Sequence, residues 1–212
     1  MCYTIKIDLT REELEKRFGA KFQGSGDFNT GDRISAFSLP VLPLICSDKP
    51  DEIRLYRWGL IPYWVKDLKS ATEIRTKTFN ARAESLAEKP SFRNSLKRKR
   101  CLVPVNGFYE WQTLEKLKIP YYITVKGQPI TVLAGLYDSW NSQETGEIIN
   151  TFTIVTTRAN PLMEEIHNLK KRMPVILSPE SEKIWLNLLA DPEKEGLLEP
   201  YPQEYMLAEM LK

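Results

Sequence analysis

The residue with the most distinctive chemistry stands next to the start of the chain. Cys2 becomes N-terminal once Met1 is removed, and an N-terminal cysteine carries an amine and a thiol on adjacent carbons. The amine condenses with an aldehyde to a Schiff base, and the thiol then closes a five-membered thiazolidine ring. Free pKa values of about 8 for an α-amine and about 8.5 for a thiol leave reactive fractions of both near neutral pH. Glu110, in the stretch Gly107 to Trp111 (GFYEW), is a candidate acid/base: alternation along a strand turns it to the same side as Phe108, and apolar neighbours raise a carboxyl pKa. His167 is the single histidine, the one side chain whose ordinary pKa lies in the physiological range. Arg82 and Arg172 carry guanidinium groups that grip phosphate bidentately. Trp64, with Pro62 before it, offers a ring that stacks on a base or wedges against one.

These residues need elements to hold them. Tyr3 to Ile7 alternates as a strand, which anchors residue 2 where a terminus is otherwise mobile. Thr10 with Glu13 forms a capping box ahead of a short helix carrying Leu14 and Phe18. Residues 19 to 33 are rich in Gly, Asp, Asn and Ser and read as a loop. Further strands are predicted at Leu44 to Ser47, Ile53 to Trp58, Cys101 to Val105, Phe108 to Trp111, Tyr121 to Val125, Thr131 to Leu136, Phe152 to Thr156 and Val175 to Leu177. Asn160 and Pro161 start a helix ending near His167, whose negative dipole end favours a protonated imidazole. Ser178 and Pro179 start another, with Ile184, Trp185, Leu188 and Leu189 on one stripe. Many short strands, few short helices and no βαβ period indicate an α+β fold, a mostly antiparallel sheet or open β-barrel.

Bulk properties narrow the class. The 212 residues, 42% hydrophobic and 27% charged, suit a globular chain with a sizeable core. With no dividing linker, residues 1 to 190 are expected to form one domain, and residues 191 to 212 a tail packed on it or extending from it. The start lacks a secretory signal and no apolar run is long enough for a membrane span, so a cytoplasmic protein is expected. Three cysteines without C-x-x-C spacing and one histidine argue against structural disulfides and zinc; neither metal nor cofactor is expected. A net charge of +2 confines any nucleic-acid contact to local patches such as Arg93 to Arg100 or Lys170 to Arg172, runs that alone more often mark solvated faces.

Five strings occur in order: Met1-Cys2, WGLIPYW at Trp58 to Trp64, FNARAES at Phe79 to Ser85, RCLVPVNGFYEW at Arg100 to Trp111, and HNLKKRMPVIL at His167 to Leu177. Together they resemble the SOS-response-associated peptidase (SRAP) family, the domain of abasic-site processing proteins, over about residues 1 to 190. The resemblance implies a monomer that loses Met1, by a general aminopeptidase or by its own action, and binds single-stranded DNA, moving to the nucleoid when the DNA is damaged. Cys2 would then join an abasic-site aldehyde in a shielding thiazolidine crosslink.

Asn80 matches the asparagine that holds the cysteine and its ring; an amide accepts from the amine and donates to an oxygen at once. Glu110 would shuttle protons during Schiff-base formation, methionine removal and crosslink reversal, and His167 would protonate the sugar as it opens. Trp64, Pro62, Arg82 and Arg172 would contact DNA, while Trp58 and Trp111 belong to the core. The chain departs from the family pattern at Tyr3 and Thr4, where glycine and a DNA-contacting arginine are usual, at Asn106 in place of aspartate, and in the spacing from His167 to Arg172. Two other readings stand beside this one: a non-covalent single-stranded DNA-binding module, and a peptidase acting on other proteins through Cys2 or Cys101. Cys101, in an apolar strand, reads better as a small buried hydrophobe.

Overall fold

A computed structural model describes residues 2–211. The elements run β1 (Thr4–Ile7), α1 (Arg11–Phe18), β2 (Lys21–Phe22), β3 (Gly31–Ser35), β4 (Val41–Cys46), β5 (Lys49–Trp58), α2 (Leu68–Arg75), β6 (Asn80–Arg82), α3 (Arg93–Arg98), β7 (Arg100–Val105), β8 (Gly107–Leu114), β9 (Leu117–Val125), β10 (Thr131–Asn141), β11 (Ile148–Arg158), α4 (Pro161–Ile166), β12 (Arg172–Pro174), β13 (Ile176–Leu177), α5 (Pro179–Leu186) and β14 (Met206–Met210). The fold is α+β with two mainly antiparallel sheets. One has the order β14-β9-β8-β1-β3, and the other runs β12-β11-β10-β7-β4-β5-β2. Among the described residues, parallel pairing joins β11 with β5 and β6, and β2 with β5.

Local sequence explains the starts of the helices. Thr10 and Glu13 form the full capping box, and Asn160 and Ser178 cap α4 and α5 ahead of Pro161 and Pro179. The buried core joins both sheets, from Ile5 and Phe108 in the first to Val103, Leu133 and Ile154 in the second. Gly107 opens β8 where a Cβ would lie 2.5 Å from the Ile123 carbonyl and 2.7 Å from the Tyr122 ring, so only glycine lets β8 close against β9.

Several elements differ from the sequence reading. The stretch 19 to 33 contains β2 and the start of β3; β2 borrows its order from β5 and is too short for periodicity to reveal. Helix α5 ends at Leu186, which leaves Leu188 and Leu189 outside it and Leu189 fully exposed. The segment after Ala190 contributes β14, paired with β9 from Met206 through Met210. The basic run 93 to 100 is split: Lys99 pairs with Asp138 at 2.5 Å, and Arg100 is buried, donating to the carbonyls of Asn187 and Ala190. Among the described residues no helix is long and apolar enough to cross a membrane.

Candidate active site

Cys2 is fully buried at the entry to β1. That strand lies between β3 and β8, with Thr4 opposite both Ser35 and Tyr109, so the next residue of β8, Glu110, comes beside the N-terminal segment. The Cys2 carbonyl accepts from Asn80 Nδ2 at 2.9 Å. Burial pushes the thiol pKa well up, and the nearby Glu110 carboxylate raises it further. The expectation that Met1 blocks the Cys2 amine concerns a residue outside those described.

Asn80 begins β6, parallel to β11 and level with Ile154. Its position is set by Phe79, whose carbonyl accepts from the Trp58 indole at 2.8 Å and from the Ile154 amide at 3.2 Å. While Nδ2 holds Cys2, Asn80 Oδ1 is buried with no hydrogen-bond partner among the described residues. A buried acceptor left in this state is costly, and ligand donors would relieve it.

Glu110 is buried between β1 and β9, opposite Tyr121. Desolvation raises its carboxyl to about 7, a value suited to giving and taking protons near neutral pH. His167 caps the end of α4, its amide bonded to the Met163 carbonyl at 2.8 Å. Its Nδ1 lies 2.8 Å from the Arg172 carbonyl. A carbonyl only accepts, so Nδ1 carries the proton and the neutral ring keeps its lone pair at Nε2. Nε2 stands 3.7 Å from Glu110 Oε2. Burial lowers the His167 pKa, although the Arg172 carbonyl works the other way. Burial thus works against the protonation expected from the end of α4, a helix of only six residues.

The residues expected along the DNA are placed unequally. Trp64 is 45% exposed, with its indole 3.4 Å from the Pro90 carbonyl, and Arg82 is exposed at the end of β6. Pro62 is buried and presents no surface to a base. Arg172 is buried as well, its guanidinium held by Glu84 at 2.5 Å and by the Thr156 carbonyl at 2.7 Å. It braces the backbone that orients His167. Trp58 lies in the core, but Trp111 is half-buried and, with Tyr3, Glu110, His167, Leu169 and Lys170, lines a cleft of about 360 Å³. Tyr3 and Leu169 line the cleft without a role in the sequence reading; for Tyr3 a signal was its place next to Cys2.

The structure thus brings Cys2 against Asn80 and Glu110 against His167, from four separate parts of the chain. Residues 1–211 match the model of the SOS response associated peptidase (SRAP) family. The chain belongs to the SRAP family. Abasic site processing protein YoqW of Bacillus subtilis (strain 168) is 44% identical over 212 residues, covering 98% of this chain and 91% of that one. Abasic site processing protein HMCES of Xenopus tropicalis is 35% identical over 167 residues, covering 70% of this chain and 49% of that one. A crystallised protein from Bacteroides thetaiotaomicron superposes with a TM-score of 0.94 at 41% identity, covering 100% of this chain and 92% of that one.

Proposed function

We propose that this SRAP chain processes abasic sites in single-stranded DNA, and that Cys2, freed of Met1, captures the ring-opened sugar in a thiazolidine. The observation that carries this reading is the contact of Asn80 with the Cys2 carbonyl at 2.9 Å, close to a buried carboxyl that titrates near neutral pH. The names of the relatives, which describe them as abasic site processing proteins, support the substrate class.

The α-amine of Cys2 attacks C1 of the aldehyde to give a carbinolamine. Glu110, protonated, gives its proton to the departing hydroxyl, which leaves as water and yields the iminium ion, still carrying the N–H. The resulting carboxylate takes the thiol proton as sulfur adds to the iminium carbon, which leaves the ring nitrogen a neutral secondary amine and Glu110 protonated again. One water is lost and no oxidant or reductant is needed. The high pKa of the buried thiol makes this proton acceptor necessary. His167, neutral and facing Glu110, relays a proton from Glu110 to the sugar ring oxygen as the hemiacetal opens, and the anomeric hydroxyl returns one to Glu110. Asn80 holds the Cys2 backbone, and its Oδ1 receives the amine. Trp64 and Arg82 contact the strand, whereas Arg172 acts through His167 as a positioning residue.

Met1-free protein mixed with a single-stranded oligonucleotide carrying one abasic site is expected to give an adduct that survives denaturing electrophoresis. Cys2→Ala is expected to give none. An equal adduct from Cys2→Ala, or none from the unsubstituted protein, would sink the reading. Salt-sensitive binding without an adduct would favour the non-covalent module instead.

A further inference from the structure

β1 pairs with β8 as far as Tyr109, which stands opposite Thr4. Beyond that point β8 runs on through Glu110 to Leu114, and no strand among the described residues continues along that edge. A bare edge leaves main-chain donors and acceptors to be satisfied by other means. At Thr113 one side chain meets both. The Thr113 amide donates to Asn168 Oδ1 at 3.1 Å, and Asn168 Nδ2 donates to the Thr113 carbonyl at 2.8 Å. Because an amide N–H only donates and a carbonyl only accepts, this pairing fixes which way the half-buried Asn168 amide points. Asn168 thus takes the place of one residue of a further strand.

A second contact runs the same way. Gln112 Nε2 donates to the Glu165 carbonyl at 3.1 Å, and its Oε1 accepts from the Tyr121 hydroxyl at 3.2 Å. Tyr121 stands opposite Glu110 on β9. Asn168 follows His167, and Glu165 lies in α4, which His167 caps. The two side chains therefore tie the His167 segment, on both its flanks, to the strand that carries Glu110.

Between His167 and Arg172, where the spacing departs from the family pattern, the chain reverses. The amides of Lys170 and Lys171 both donate to the His167 carbonyl, at 3.2 Å and 2.8 Å. Lys171 takes a left-handed φ of 49°, a conformation that is strained for a residue with a side chain and persists where the surroundings hold it. The reversal brings the Arg172 carbonyl to His167 Nδ1 at 2.8 Å. That bond turns the ring, but it comes from the far end of the same turn and does not reach β8. Asn168 and Gln112 make the crossing.

We propose that Asn168, supported by Gln112, is a positioning residue that sets the 3.7 Å between His167 Nε2 and Glu110 Oε2. The proposal rests on the reading of Glu110 and His167 as the proton-handling pair of the Cys2 reaction. Asn168 is bonded to main chain and acts through His167. The role calls for an amide: an aspartate would keep the acceptor for the Thr113 amide but would set a carboxylate against the Thr113 carbonyl.

Two measurements test this. The first is the single-turnover rate of adduct formation by Met1-free protein with an abasic single-stranded oligonucleotide. Asn168→Ala is expected to slow it about tenfold, since small displacements of reacting groups change rates on this scale or more. In a His167→Gln background the same substitution is expected to change the rate by less than about twofold, because the two residues act as a unit. Asn168→Asp, of the same size, is expected to slow the parent too, and it replaces Asn168→Ala if melting curves show that the alanine variant does not fold. The second measurement needs no DNA. His167 is the single histidine, so its ring signals in a nitrogen NMR spectrum identify themselves. Glu110→Gln is expected to move them in the parent and to leave them in place in Asn168→Ala.

An unchanged rate in Asn168→Ala overturns the proposal. Equal slowing in both backgrounds also overturns it, because a support of the fold acting apart from His167 would slow both alike. A response of the His167 signals to Glu110→Gln that persists in Asn168→Ala overturns it whether or not an adduct forms. If that response is lost but the unsubstituted protein forms no adduct, the clamp stands and covalent capture fails.

Discussion

Nε2 of His167 lies 3.7 Å from Oε2 of Glu110, while Nδ1 of the same ring is committed to the Arg172 carbonyl at 2.8 Å. The separation is too long for a direct hydrogen bond, but it leaves a lone pair facing a carboxyl. Burial raises the acid and lowers the base, so both shifts favour the neutral forms of the pair.

The first consequence concerns stability. Glu110 titrates at about 7 when folded against an ordinary value of 4.5, so between those values the folded state binds more protons than the unfolded one. Stability therefore falls as pH rises through this window, and the cost is fully present above pH 7. Glu110→Gln should remove it, raising stability at pH 8 by on the order of 2 kcal/mol relative to the parent while changing little at pH 4. Chemical denaturation at the two pH values checks this; a parent whose stability rises from pH 5 to pH 7.5 relative to the variant contradicts it.

The rate of adduct formation should carry the same titration. Loss of the Glu110 proton is expected to give a descending limb centred near pH 7, and the limb should disappear in Glu110→Gln along with at least a tenfold drop at the optimum. Single-turnover rates from pH 5.5 to 9 read this directly. A descending limb unchanged in Glu110→Gln would assign it to another group.

Arg172 separates two roles by salt. Its guanidinium is turned inward to Glu84 and Thr156, so Arg172→Gln should cost about 1–3 kcal/mol of stability and slow the adduct by displacing His167. The salt slope of DNA binding should stay the same. A slope lowered by about 0.7 would instead place Arg172 on a phosphate.

Gly107→Ala should destabilise the fold by about 1–3 kcal/mol, because a Cβ there meets the Ile123 carbonyl at 2.5 Å and the strand carrying Glu110 must shift. Thermal melting tests the cost, and a melting point equal to the parent's would show that β8 and β9 are looser than described.

What could be read from the sequence followed the range of the cause. Thr10 with Glu13, Asn160 with Pro161 and Ser178 with Pro179 mark helix starts through contacts a few residues apart, and each cap is observed. Alternation put Phe108 and Glu110 on one face, but β8 is buried continuously from Gly107 to Glu110, so alternation did not set Glu110 apart from Tyr109 as a buried residue. Arg172 and Pro62 could not be placed that way, since nothing near them in sequence reveals that Glu84 and Thr156 await the guanidinium or that Pro62 is covered. β14 depends on β9, with which it pairs from Met206 opposite Val125 to Met210 opposite Tyr121, a non-local contact. For His167 the burial that lowers its pKa is a tertiary quantity that nothing near it in sequence reveals.

The most direct test is the intact mass of the adduct between Met1-free protein and an oligonucleotide with one abasic site, formed without reductant. The account predicts the summed masses less one water, stable to denaturant without borohydride treatment and absent from Cys2→Ala. An adduct that survives only after borohydride reduction, or that forms equally in Cys2→Ala, would show an open Schiff base or another nucleophile and would contradict ring closure by the Cys2 thiol.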